Sequence, residues 1–245
     1  MYPATSKGGS PTVAVEEFSL TIEDGEFCSV VGPSGCGKTT ILNMLAGFEA
    51  PTRGQITVGD QIVTKPGPER AVVFQRPSLL PWMSVFDNIG FGLTIRDKNP
   101  KGHDPDIIQM VEEMGLSGFE RHYPYQLSGG MQQRVSIARA LITDPSSLLM
   151  DEPFGALDAQ TRSDMQRFLL ELWKTSQPTV LFITHDVDEA ILLSDRVIVM
   201  TPRPGRIAEE FPIGLKRPRQ WDSILSAEFL RYKKEILSVL RHDAV

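Results

Sequence analysis

The chain has 245 residues, 41% of them hydrophobic, and its formal net charge at pH 7 is −6. This length and composition suit one large domain with a buried core, and they exclude a disordered or fibrous protein. The acidic balance argues against a general nucleic-acid-binding protein, and every apolar run is far shorter than a membrane-spanning helix requires.

Short apolar runs alternate with amphipathic stretches along the chain. The runs lie at 27–31, 70–74, 147–151, 179–184 and 196–200. We interpret them as strands separated by helices, and this alternation predicts an α/β fold with a largely parallel central sheet. Residues 54–65, "GQITVGDQIVTK", alternate between apolar and polar types around a Gly-Asp pair, which predicts an accessory antiparallel hairpin.

Two further segments have helical patterns. Between residues 76 and 140 prolines interrupt the chain and "DPDIIQMVEEMG" has apolar residues at helical spacing, so we expect a mainly helical insert. Near the C-terminus, "SAEFLRYKKEILSVL" and the leucine just before it place five apolar residues on one helical face, and we expect this helix to pack on its own chain. The five are Leu225, Phe229, Tyr232, Ile236 and Val239.

The N-terminus and the cysteines indicate a cellular compartment. "MYPATSKGGSPT" lacks the apolar centre of a signal peptide, and the chain has two cysteines, Cys28 in a strand-like run and Cys36 in a glycine-rich loop. These positions suggest free thiols in a reducing environment, so we expect the cytoplasm.

A phosphate-binding pattern follows the first strand. "GPSGCGKT", residues 32–39, matches G-x-x-x-x-G-K-[ST] between a predicted strand and a predicted helix. The glycines let the loop wrap a polyphosphate, Lys38 would reach the β- and γ-phosphates, and the Thr39 hydroxyl would hold Mg²⁺. The alternative, a glycine-rich turn without a ligand, does not account for the full pattern. The predicted contact residues are Gly32, Pro33, Ser34, Gly35, Cys36, Gly37, Lys38, Thr39 and Thr40.

Polar residues follow three other predicted strands. Asp151 would hold the metal and Glu152 would orient or deprotonate an attacking water, because a carboxylate that does not bind the metal can act as a base. Gln75 would contact both Mg²⁺ and the water, and His185 would sense the γ-phosphate. Since the carboxyl ends of parallel strands share one edge of a sheet, we expect these residues near the loop at 32–39.

A second anion-binding turn lies near the middle of the chain. In "YQLSGGMQQRVSIARA", residues 125–140, a Ser-Gly-Gly turn leads into a predicted helix. The first turn of a helix has unpaired N–H groups and a dipole that favours an anion. The sequence therefore contains two turns suited to phosphate, one more than a single nucleotide site in one chain needs.

Taken in order, the motifs identify a family. The strings "GPSGCGKTT", "VVFQ", "LSGGMQQR", "SLLMDEP", "GALD" and "ITHD" resemble those of the nucleotide-binding subunit of an ATP-binding cassette (ABC) transporter over nearly the whole chain. The resemblance implies one P-loop NTPase domain over 1–245. Its nucleotide-binding core with the β subdomain would be 1–75 and 141–245, and its helical subdomain 76–140.

The resemblance also accounts for the second turn. Two such subunits pair head to tail, so that Ser128, Gly129 and Gly130 of one chain close over the ATP bound by the other, while Asp158 of "GALD" links the two sites. Tyr2 matches the aromatic residue that stacks on adenine in this family. The implied partners are a second copy and transmembrane permease subunits, and indirectly a solute-binding protein, at the cytoplasmic face of the membrane; no nucleic acid is implied.

Longer stretches point to a subclass. "RPSLLPWMSVFDN" and "THDVDEAILLSDRVIVMTPRPGRI" resemble the ATPase subunits of bacterial importers of nitrate, sulfonate and taurine. Two prolines in the first stretch leave Leu79, Leu80, Trp82 and Met83 on an irregular segment that is either core or a socket for the permease. A soluble ABC ATPase would usually carry a coiled-coil insert or a second cassette, and a P-loop kinase would not need "LSGGMQQR".

Overall fold

Each of the apolar runs forms a β-strand in the computed structural model, which describes residues 12–96, 100–219 and 221–242. The strands are β1 (Phe27–Val31), β2 (Thr57–Val58), β3 (Gln61–Ile62), β4 (Arg70–Val73), β5 (Ser147–Asp151), β6 (Thr179–Ile183), β7 (Arg196–Met200) and β8 (Ile207–Pro212). The helices are α1 (Lys38–Ala46), α2 (Val85–Arg96), α3 (Asp104–Glu113), α4 (Gly129–Leu141), α5 (Ala159–Ser176), α6 (Val187–Leu193) and α7 (Ala227–His242).

The chain divides into two units, a first one of residues 1–67 and 166–245 and a second one of residues 68–165. In the first unit β1 lies between β6 and β7 and is parallel to both, while β8 is antiparallel to β7. All five residues of β1 are buried, as expected for a parallel strand covered on both faces. The hairpin predicted at 54–65 is the antiparallel pair β2 and β3.

Helices α6 and α7 complete the core of the first unit. Val31 and Val197 of the sheet pack with Ile191 of α6 and with Phe229 and Ile236 of α7 in one buried cluster. The predicted C-terminal helix therefore packs on its own chain. Leu225 is an exception, because it precedes α7 in a short 3-10 turn and is 80% exposed, so its assignment to the buried face is wrong.

A buried arginine fixes the end of α6. Arg219 is 4% exposed, and its guanidinium donates to the carbonyls of Ile191 at 2.8 Å and Ile213 at 3.0 Å. Burial lowers the pKa of Arg219 to about 10, so the side chain stays charged at neutral pH. A cation at a helix C-terminus pairs with carbonyls that have no partner within the helix.

The second unit contains β4, β5 and the helices α2, α3 and α4 between them. β4 is parallel to β5, with Val73 opposite Met150. Helix α2 packs against α3 and α4, and these helices lie in the segment for which the sequence predicts a helical insert. The α/β fold with largely parallel strands is confirmed, and the division into subdomains at 76 and 140 stays a prediction.

Candidate nucleotide-binding site

The loop at 32–39 is the turn between β1 and α1 in the first unit. Gly35 and Gly37 have φ angles of 78° and 108°, which residues with a side chain rarely adopt. A Cβ on Gly37 would lie 2.6 Å from Val15 Cγ2 and 3.0 Å from the Ala14 carbonyl oxygen. Backbone conformation therefore favours glycine at both positions, and the segment that packs against the loop also requires it at Gly37.

Lys38 begins α1 and folds back onto its own loop. Its side-chain amine donates to the carbonyl oxygens of Gly32 at 2.8 Å and Pro33 at 3.2 Å, and the residue is 7% exposed. An ammonium group has three N–H donors, so it can keep a carbonyl contact and also donate to a phosphate oxygen. Thr39, the next residue of α1, is exposed.

His185 lies at the same edge of this sheet. β6 is parallel to β1 with Ile183 opposite Val30, so the residues that follow both strands leave the sheet together. His185 is exposed, and Thr184 beside it is buried. The expected proximity of His185 to the loop is consistent with this register.

In the second unit Gln75 and Glu152 come together. They follow the parallel strands β4 and β5, and a Cβ on Gly155 would lie 3.2 Å from Gln75 Nε2 and 3.6 Å from Glu152 Oε2. Glu152 has a φ angle of 44°, in the left-handed region that few residues other than glycine adopt. Strained backbone of this kind is concentrated at functional sites. Asp151, the last residue of β5, directly precedes it.

The Ser-Gly-Gly turn at 128–130 begins α4, and the helix start there is as predicted. The Ser128 hydroxyl oxygen caps the helix by accepting from the Met131 N–H at 3.3 Å. A Cβ on Gly130 would lie 2.6 Å from Thr161 Cγ2, so α4 and α5 approach closely at their first turns. Ser128 and Gly129 are exposed.

Asp158 lies beside this turn and directly precedes α5. Its carboxylate accepts from the Thr161 N–H at 3.1 Å, and hydrogen bonds from Thr161 lower the pKa of Asp158. Gly129 faces Leu157 of the same segment, where a Cβ would be 3.5 Å from Leu157 Cδ2. Because Asp158 is also exposed, the turn and the carboxylate form one accessible surface of the second unit.

Residues 15–155 match the ABC transporter family. The chain belongs to this family. It is 50% identical to an uncharacterized ABC transporter ATP-binding protein of Methanocaldococcus jannaschii, over 97% of this chain and 88% of that protein. It is also 48% identical to the taurine import ATP-binding protein of Escherichia coli, over 86% of this chain and 82% of that protein.

Solved structures show the same fold. A dimeric bacterial ABC transporter cassette matches with a TM-score of 0.74 and 30% identity, over 86% of this chain and 95% of that one. A dimeric cassette in a post-hydrolysis state bound to ADP and Pi matches with a TM-score of 0.73 and 28% identity, over the same shares. The chain is therefore an ABC ATPase that binds ATP and couples its hydrolysis to transport. Across its described residues, none of its helices is both long and apolar enough to cross a membrane.

The structure of this ABC ATPase groups most of the predicted site residues. The loop at 32–39 shares a sheet edge with His185, Gln75 lies near Glu152, and Ser128–Gly130 lies beside the segment of Asp158. Tyr2 lies outside the described residues.

Sequence reasoning missed a buried polar network behind the histidine. Glu189 of α6 is 4% exposed and accepts from the Thr184 hydroxyl at 2.5 Å and from Gln166 Nε2 at 2.9 Å. The Thr184 hydroxyl oxygen also accepts from the Asp186 N–H at 3.0 Å. These bonds fix the backbone on both sides of His185. A carboxylate within the apolar run of α6 was the only signal in the sequence for this network.

Proposed function

We propose that this ABC ATPase drives the import of a small anionic solute such as nitrate, a sulfonate or taurine. The observation that supports this subclass is the similarity to the taurine import ATP-binding protein of E. coli, which extends over 86% of the chain. The solute path itself belongs to permease subunits, which we propose as partners together with a solute-binding protein. The proposed location is the cytoplasmic face of the membrane, through the permease.

The proposed chemistry starts with the phosphate-binding loop. Backbone N–H groups within the segment 34–40 bind the phosphate oxygens, and Lys38 donates to the β- and γ-phosphates. The glycine conformations and the position of the Lys38 ammonium against the loop support this role. As charge develops on the transferred phosphoryl group, Lys38 stabilises it.

We assign the base role to Glu152. Its carboxylate accepts a proton from the water that attacks the γ-phosphorus, and the bond between that phosphorus and the β,γ-bridging oxygen breaks, giving ADP and phosphate. Gln75, whose amide lies near Glu152, orients the water. His185 donates to a γ-phosphate oxygen and so distinguishes ATP from ADP.

The oxygen donors fit Mg²⁺. The Thr39 hydroxyl, the Asp151 carboxylate and the Gln75 amide oxygen are ligands of the type that this hard cation prefers. When bound, Mg²⁺ neutralises charge on the β- and γ-phosphates. The three residues would hold it from the ends of separate strands and from the first turn of α1.

We further propose that a second copy of the chain is the partner for the exposed Ser128–Asp158 surface. In a head-to-tail pair, Ser128, Gly129 and Gly130 of one chain bind the ATP held by the loop of the other. The dimeric state of the two similar cassettes supports this arrangement. Tyr2 is proposed to stack on adenine.

Glu152→Gln separates binding from hydrolysis, because it keeps the size of the side chain and removes the base. We expect ATP affinity to stay close to that of the native protein, hydrolysis to fall by about 10²–10⁴-fold, and a dimer to accumulate with MgATP in size-exclusion chromatography. ATP turnover by Glu152→Gln near the native rate would show that Glu152 is not the base.

Complementation in cells tests the solute class, with the same variant as the inactive control. In a strain that lacks this chain, uptake of radiolabelled taurine, another sulfonate and nitrate is measured after complementation with the native chain or with Glu152→Gln. We expect the native chain alone to restore uptake of one of these solutes. If the native chain restores uptake of none of them, the proposed solute class is wrong.

A further inference from the structure

The turn that joins β7 to β8, Thr201–Arg206, packs directly on the phosphate-binding loop. Its sequence is "TPRPGR", and none of its residues carries a role in the proposed chemistry. Both elements belong to the first unit. We name these six residues the backing turn.

Gly205 is the point of closest approach. It is buried, and a Cβ placed on it would be 1.9 Å from the Cys36 carbonyl oxygen and 2.6 Å from Met200 Cε. The backbone of Gly205 is also anchored to the segment before β1. Its N–H donates to the Ala14 carbonyl at 2.9 Å, and its carbonyl accepts from the Glu16 N–H at 3.0 Å. The backing turn is thus fixed in position against the loop.

Arg203 makes the polar contact. Its Nε donates to the Gly35 carbonyl oxygen at 3.1 Å. The N–H of the same peptide, on Cys36, donates to the Pro33 carbonyl at 3.3 Å. The peptide between Gly35 and Cys36 is therefore held at both its carbonyl and its N–H.

A loop that binds phosphate through its N–H groups must turn its carbonyls away from the ligand, and those carbonyls need partners of their own. Arg203 supplies the partner for Gly35, and Gly205 leaves room for the Cys36 carbonyl. We propose that Arg203 is a positioning residue, which preorganises the phosphate-binding loop through the Gly35 carbonyl and so increases nucleotide affinity. This inference rests on the proposed binding of ATP by the loop.

The fork geometry of arginine is essential to this role. Arginine donates along fixed directions from a planar group, whereas lysine is a point charge on a flexible stem. Lysine at 203 would keep the positive charge without the Nε donor. The two substitutions Arg203→Gln and Arg203→Lys therefore distinguish positioning of the loop from simple attraction of the phosphates.

Arg206 offers a matched control on the same turn. It is exposed and pairs with Glu16 at 2.7 Å, and the residue is not part of the proposed nucleotide site. Arg206→Gln removes one positive charge from the backing turn, as Arg203→Gln does. A difference between the two variants reflects the contact with Gly35.

The test measures ATP and ADP affinity, steady-state kinetics and amide hydrogen exchange of the 32–39 segment in the purified full chain. For Arg203→Gln and Arg203→Lys we expect affinity for both nucleotides to fall about three- to tenfold, which corresponds to the typical net contribution of one hydrogen bond. We expect KM to rise with kcat nearly unchanged, exchange in the loop to quicken, and Arg206→Gln to behave like the native chain. Melting temperatures of all variants show whether each is folded.

Two results would overturn the inference. One is equal nucleotide affinity in Arg203→Gln and Arg206→Gln. The other is native nucleotide affinity in Arg203→Lys, since this would mean that the positive charge alone acts on the phosphates. Lys38→Ala tests the underlying assignment separately. If Lys38→Ala keeps the native nucleotide affinity, the loop does not bind ATP. If Lys38→Ala loses affinity and the Arg203 variants do not, the loop binds ATP and only the role of Arg203 is refuted.

Discussion

At the scale of single residues, the two cysteines show how position in the fold controls reactivity. Cys28 lies in the middle of β1 and is fully buried, and burial, assisted by the negative charge of Glu26, raises the pKa of its thiol to about 12. Cys36 is 1% exposed but belongs to the loop before α1, where its Sγ lies 3.9 Å from Lys38 Nζ. Loops open locally far more often than central strands.

A thiol-reactive maleimide at neutral pH should therefore label Cys36 before Cys28, because the reagent needs an exposed thiolate. Saturating MgATP should slow the labelling of Cys36, since the nucleotide holds the loop closed. Mass spectrometry of peptides after timed quenching measures both rates, and the urea-unfolded chain serves as the control in which both thiols react. Earlier labelling of Cys28, or a Cys36 rate that does not respond to MgATP, contradicts the proposed site.

The sequence predicted residues that act through short motifs better than residues that act through distant contacts. The loop at 32–39 and the pair Asp151 and Glu152 were found because their spacing reflects phosphate chemistry. Arg203 was not found, because its partner Gly35 is 168 residues away and only the fold brings them together. Glu189 was missed because its partner Gln166 lies on a different helix.

At the scale of elements, the irregular segment before α2 is held by one amide. Asn88 of α2 is fully buried, and its side chain accepts from the Leu80 N–H at 2.8 Å and donates to the Leu80 carbonyl at 3.1 Å and the Met83 carbonyl at 3.0 Å. The segment is therefore ordered without being helical. Trp82 projects from it with 70% of its surface exposed, which disagrees with a role in the core and favours the socket predicted from the sequence.

Trp82→Ala should weaken binding to the permease by about tenfold or more, because large aromatic side chains often dominate interface energies. ATP affinity and melting temperature of the isolated subunit should stay unchanged, since the side chain lies at the surface. Ile108→Ala, at another exposed apolar side chain on α3, is the matched control. Unfolding or loss of ATP binding in Trp82→Ala would show that the segment does not serve as a socket.

Strands with strong apolar patterns were predicted within one residue of their ends, and a strand with a weak pattern was missed. The run predicted at 196–200 is β7 without any shift. Its neighbour β8 was not predicted, because "IAEEFP" buries only Phe211 and reads as a polar segment. β8 is an edge strand that is stabilised by pairing with β7, and the residue pattern within β8 alone does not reveal that pairing.

At the scale of the whole molecule, the proposed dimer predicts complementation between chains. Lys38→Ala damages the phosphate loop, and Ser128→Arg blocks the turn that faces the partner. Each homodimer carries its lesion at both ATP sites and should not trap nucleotide. In a mixed dimer both lesions fall at one site, which leaves the other site intact.

The measurement is trapping of ATP in purified heterodimers that also carry Glu152→Gln on both chains. Because a symmetric pair has two equivalent sites, we expect about half of the occupancy seen without the two lesions. Heterodimer formation is checked independently by two affinity tags. Trapping no greater than in the homodimers would mean that Ser128 serves its own chain.

The left-handed backbone of Glu152 has a consequence for selection. A residue with a side chain in this conformation costs of order 1 kcal/mol, and glycine would remove that cost. Conformational stability and the proposed turnover therefore demand different amino acids at the same position. Engineering for thermostability, or genetic drift in a transporter no longer needed, would tend to replace Glu152 by glycine and leave a robust protein that binds ATP without consuming it.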